Sequence, residues 1–175
     1  MWIDDLLYLK KEEFDFLIKN GKRSSKLLNF DFESLIYSNW GMVKEVLPDL
    51  FARNDFEKLI ILLFKERGIN LFSYDVHKIS LSEGMSFILW IIDEMKAIQE
   101  LEVNNLSSSP NIKMIQAGIS ELDKFGLDNV RDSLTDGNIL NYEKINNMPY
   151  YKVFDKQLME ITKNKINEKM AKIKN

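Results

Sequence analysis

The chain has 175 residues, 45% of them hydrophobic and 29% charged, and a formal net charge of −3. This size and balance fit one folded domain, or one with a small appendage, that hides roughly two-thirds of its unfolded surface, and they exclude a disordered chain. The absence of cysteine excludes disulfides and thiolate sites, a single histidine excludes multi-histidine metal centres, and the acidic balance argues against a general nucleic-acid binder.

Glycine and proline are few, with seven and three respectively, so helices are expected over a many-turned sheet. Residues 2–19 predict a first helix with Gly21 as its stop. Asp31 is a candidate cap for a short helix through Ile36. Trp40, Val43 and Leu47 predict a helical piece that ends near Pro48, because the residue before proline avoids the helical region. Asp55 is a cap, Phe56 to Phe64 an apolar stripe and Gly68 a stop. Residues 69–79 read as a short strand or an ordered loop.

Ser80 and Glu83 have capping-box spacing, and a long central helix is expected over 81–104. The apolar run Phe87–Ile92 is followed at once by Asp93 and Glu94, and it falls far short of the about twenty residues that cross a bilayer. Two aspartates near the start also stand where a secretory signal would be basic, so a cytoplasmic location is expected.

Ser107 to Pro110 punctuates the chain. It divides a helical part over 1–106 from a smaller part over 110–175, which stand apart or pack as one domain. A helix carrying Ile112, Ile115, Ile119, Leu122 and Phe125 should follow Pro110 and stop at Gly126. Asp128 is a candidate cap for a helix through Leu134. Thr135 to Asn138 is a turn by its chemistry, and a short helix over 142–147 precedes Met148-Pro149. A closing amphipathic helix starts near Pro149, with Tyr151, Phe154, Leu158, Ile161, Ile166, Met170 and Ile173 expected toward one side. The fold class is therefore all-α, a compact bundle of about seven or eight helices.

No catalytic, cofactor or metal set emerges. His77 beside Tyr74 and Asp75 has no nucleophile near it in sequence and reads as a loop histidine. The acid pairs Asp4/Asp5, Glu12/Glu13, Asp93/Glu94 and Glu100/Glu102 read as solvated helix faces opposite apolar ones. Glycine-rich phosphate loops are missing. Trp2, Trp40 and Trp90 read as core, with Trp2 alternatively part of an interface. The last sixteen residues carry five lysines, 163, 165, 169, 172 and 174, against Glu160 and Glu168. Without interleaved aromatics they read as a solvated face rather than a nucleic-acid contact. The apolar stripe continues to Ile173, so the end helix either packs back on its own core or docks into a partner's groove.

The order W-x2-V, apolar helix, ILWI helix, SSSPNIKMIQAGISELDKFG, TDGNIL and YEKINNMPYYKVFDKQL resembles small phage proteins of tail and head-to-tail morphogenesis. The second half is most similar to the tail-assembly chaperone type, on Ala117-Gly118, Phe125-Gly126, Asp136-Gly137, Met148-Pro149-Tyr150 and Phe154. The resemblance implies a non-enzymatic helical protein that binds amphipathic helices of a tail component, the tape-measure protein foremost, in the host cytoplasm. Its partners would be other phage structural proteins or further copies of itself, with no membrane involved. The contact candidates are Tyr150, Tyr151, Phe154, Leu158 and Ile161. A virion subunit of connector, ring, neck or baseplate type is the alternative, and a carboxylate-only enzyme or a regulator is a third class.

Overall fold

The computed structural model describes residues 11–107 and 112–173. These residues are mostly helical, and the only sheet among them is a two-stranded antiparallel ribbon. The expected first helix appears as α1 (Lys11–Asn20), while its start over 2–10, Trp2, and the linker residues around Pro110 lie outside the described residues. Gly21 follows α1, and its N–H donates to the Leu17 carbonyl at 2.7 Å. A Cβ there would meet Leu89 Cδ1 at 2.4 Å, so this glycine also lets the chain pass close to the central helix.

The ribbon pairs β1 (Lys26–Leu27) with β2 (Phe30–Asp31). Its turn puts Leu28 and Asn29 at φ of +50° and +63°, the tight mirror-image geometry of two-residue hairpins. Asp31 is thus a strand residue, where a helix cap was expected. Ser34 takes that role, accepting from Ile36 N–H over the short 3-10 turn Leu35–Tyr37.

Helical structure was expected to end near Pro48. Instead a wide turn over Met42–Val46, closed by Leu47 N–H to the Met42 carbonyl, runs into α2 (Leu47–Ala52). Pro48 sits in the first turn of α2, where its missing donor is not needed. Asp55 caps α3 (Phe56–Glu66) by accepting from Lys58 N–H at 3.1 Å, and Gly68 ends it at φ +76°. Residues 69–79 are neither strand nor plain loop. They contain α4 (Ser73–Val76), because Val76 and Ile79, one helical turn apart, both reach the core.

Ser80 caps α5 (Leu81–Leu106) by accepting from Glu83 N–H at 3.2 Å. Its 26 residues extend about 39 Å at 1.5 Å each. The first half, with Phe87, Ile88, Leu89 and Ile91 fully covered, is the axis of the core. Phe32 fits between Phe64 and Phe87 at ring distances of 4.8 and 4.9 Å, joining the ribbon side to α3 and α5.

The single helix expected from Pro110 to Gly126 is broken. Gly118, at φ +80°, separates α6 (Ile112–Gln116) from a 3-10 helix over Ile119–Phe125. Then come α7 (Leu127–Leu134), the turn at Asp136-Gly137 with both φ positive, and α8 (Tyr142–Asn146). Asp128 lies inside the first turn of α7, where the helix dipole favours an acid, rather than capping it. Finally α9 (Tyr150–Ile173) returns to the core. Trp40 N–H donates to the Met148 carbonyl and Tyr150 N–H to the Ser38 carbonyl, each at 2.8 Å, so the entry to α9 is stitched to the segment before α2. Tyr150, Val153 and Phe154 complete the same cluster of buried side chains as Trp40 and α5.

Candidate interaction surface

Two polar clusters fix the start of α9 and the elements before it. In the first, the Tyr150 hydroxyl donates to Glu102 Oε1 at 2.9 Å and Lys44 Nζ reaches the same carboxylate at 2.7 Å. Burial first, then the bond to the Glu102 carboxylate, raise the Tyr150 phenol far above its ordinary value. In the second, Arg131 of α7 is 6% exposed, with its guanidinium 5.2 Å above the Trp40 ring. Its Nε donates to Asn146 Oδ1 at 2.9 Å, Nη1 pairs with Asp128 at 2.7 Å, and Nη2 pairs with Glu45. The bond to Glu45 leads in raising its pKa, against the lowering by burial. Gly41 permits this arrangement, since a Cβ there would stand 3.0 Å from the Asn146 side chain.

The acids on α5 do more than face solvent. Glu94 accepts from Leu35 N–H at 2.9 Å and from the Ser34 hydroxyl, Asp93 pairs with Arg23 at 2.8 Å, and Glu83 accepts from Leu28 N–H at 2.9 Å. Glu83 and Glu94 thus satisfy backbone donors of segments with little regular structure of their own, while Asp93 holds the Arg23 side chain. Asp93, Glu94 and Glu102, the last held by Tyr150 and Lys44, are half-buried, so the expectation of wholly solvated faces is corrected; Glu100 and Glu12 are exposed as expected. His77 is exposed at the end of α4, and the described residues hold no group of three or more acids and histidines able to grip a metal. No helix among them is long and apolar enough to cross a membrane.

The five contact candidates fall in different places. Tyr150 and Phe154 are 1% and 8% exposed and belong to the core, so they present no open surface. Tyr151 is open and meets Tyr37 edge-on at 5.7 Å. Leu158 and Ile161 are half-buried on the same side of α9 as Tyr150 and Phe154. The stripe expected along one side is in fact two rows. At about 100° per residue, Met159, Ile166, Met170 and Ile173 lie roughly half a turn away from the row that faces the core. All four are more than half exposed. Every residue from Thr162 to Ile173 is exposed, so α9 projects about 18 Å beyond its anchor. The spacing 159, 166, 170, 173 was the available signal, masked in sequence by the core row just before it. Within the anchored stretch, Glu160 is held below its usual carboxylate range by its bonds to Lys156 and then Lys163.

A second open apolar surface lies on the connecting turns. Ile112, Ile115, Leu122 and Phe125 were expected to bury one helix face, yet they are 41–74% exposed. Leu122 and Phe125 line a cleft of about 270 Å³ with Asp128, Asn129, Asp132 and Tyr142. A larger cleft of about 480 Å³ between α2 and α5 has an apolar floor of Val43, Phe51, Ile92 and Met95, and Lys44 and Lys96 at its edge.

No protein-family model matches the chain, and neither a curated protein nor a solved structure is significantly similar to it.

Proposed function

We propose that the chain is a non-enzymatic assembly protein that works by docking the projecting end of α9 against another protein. The observation that carries this is the row Met159, Ile166, Met170 and Ile173, exposed on the side of α9 opposite its anchor. A helix that packs only on its own domain has one apolar row, and a second row on the far side lowers its solubility unless something covers it. Amphipathic helices with anchors at such spacing dock in grooves of partner proteins. In the setting that the phage resemblance implies, the protein is a tail-assembly chaperone and its client a helical tail component.

The expected result is that full-length protein captures a tail component from infected-cell lysate, while the doubly substituted Ile166→Glu, Met170→Glu protein does not. Equal capture by both would remove α9 from the contact. A virion subunit is the second reading, favoured by the division of charge between a lysine-rich end and an acidic remainder. Peptide quantification on purified particles separates the two: a subunit persists at a fixed ratio to the tail tube, and a chaperone is lost.

A further inference from the structure

Resting on the docking role of α9, we infer that its projecting end has a built-in occupant: the acidic apolar cleft around Leu122 and Phe125 on a second copy of the same chain. The two surfaces are complementary. The last sixteen residues hold five lysines against two acids. Residues 119–143 hold the acids Glu121, Asp123, Asp132, Asp136 and Glu143 against Lys124, which lies over the Phe125 ring, while Arg131 and Asp128 are already paired with each other. Both surfaces combine this charge with exposed apolar side chains, which supply adhesion while charge sets the choice of partner. Met159 and Met170 are flexible enough to fill an irregular cleft.

The alternatives within the chain are disfavoured by the same electrostatics. In the larger cleft Lys44 is paired with Glu102, and Lys96 leaves the lining net positive, which does not attract a lysine-rich helix. Two α9 ends side by side would set their lysines against each other. Every residue from Thr162 to Ile173 is exposed, so the end of α9 does not lie in its own cleft. The contact is therefore head-to-tail between different surfaces, and repetition gives a closed ring or an open chain of copies. It covers the row that a client would use, so self-association and client docking compete.

The test is sedimentation velocity on the full-length protein with two variants. The tail variant carries Ile166→Glu and Met170→Glu; the face variant carries Leu122→Lys and Phe125→Lys. All four positions are exposed, and circular dichroism checks that each variant is folded. Wild type should associate with rising concentration, and at least about tenfold more weakly when salt rises from about 0.05 to about 0.5 M. Each variant alone should stay monomeric. Their mixture should form a one-to-one dimer and nothing larger, because each supplies the surface that the other lacks. Wild type that stays monomeric at high concentration and low salt overturns the inference. So does a face variant that still self-associates, which would mean α9 pairs with α9, or binding to phosphatidylglycerol vesicles without any self-association. Client capture is read separately, so its loss with self-association intact would instead refute the docking of a client.

Discussion

The Tyr150 phenol and the Glu102 carboxylate meet at 2.9 Å at the crossing of α9 and α5, with Lys44 on the far oxygen at 2.7 Å. Burial, and then this bond, hold the phenol protonated. Its pKa is raised in the folded chain, so the stability it contributes is complete below the unfolded value near 10 and is lost as pH climbs past it. The loss should run at about 1.4 kcal/mol per pH unit above that point. Tyr150→Phe should cost about 1 kcal/mol at pH 8 and remove this part of the alkaline loss. Urea midpoints of both proteins from pH 8 to 11 should therefore converge. Parallel curves would show that the phenol is not held this way.

Arg131 is a fork over the Trp40 ring with a separate task for each nitrogen: Asn146, Asp128 and Glu45. Lysine can offer only a point charge there. Arg131→Lys should therefore cost nearly as much as Arg131→Met, about 1–3 kcal/mol by urea unfolding. The lower part of that range is favoured by the partial exposure of Glu45 and Asp128, which regain water once released. Retention of wild-type stability by the lysine variant would show that charge alone holds the site.

Local chemistry made much of this fold readable before the structure. The caps at Asp55 and Ser80, the stop at Gly68 and the Asp136-Gly137 turn each need only neighbours within a few residues. What escaped was decided at long range. Glu94 looks like any helical acid until Leu35, 59 positions away, presents its N–H. Gly118 interrupts a run whose apolar spacing is unbroken, and the stripe it carries is left open rather than buried. Along α9, helical spacing already sets Ile166 well away from Ile161, but only the packing shows which of the two rows faces the core.

Glu94 gives a direct test of the acids as backbone partners. Glu94→Ala leaves the Leu35 N–H and the Ser34 hydroxyl without their acceptor in a half-buried place. It should lower stability by about 1–3 kcal/mol. Glu100→Ala, on the exposed side of the same helix, should stay within about 0.5 kcal/mol of wild type. Equal effects in urea unfolding would mean that Glu94 is a solvated acid after all.

The two rows of α9 predict opposite outcomes for similar substitutions. Phe154 lies in the core beside Tyr150, with ring centroids 6.2 Å apart, and its loss opens a cavity that the neighbours cannot fully close. Phe154→Ser should cost about 3–5 kcal/mol and lower the melting temperature, and any loss of binding would then follow from unfolding. Ile166 and Met170 are each 51% exposed beyond the anchored stretch. Ile166→Glu and Met170→Glu place good helix formers on an open helix, so together they should move stability by no more than about 0.5 kcal/mol. They should nonetheless abolish association, because they put acids on a row that has to enter an acidic cleft. Thermal melts and sedimentation on the same preparations check both halves. If the Ile166 and Met170 variant melts early, the end of α9 is covered by its own chain and the docking role is lost. If it melts normally and still associates, the contact lies elsewhere on the molecule.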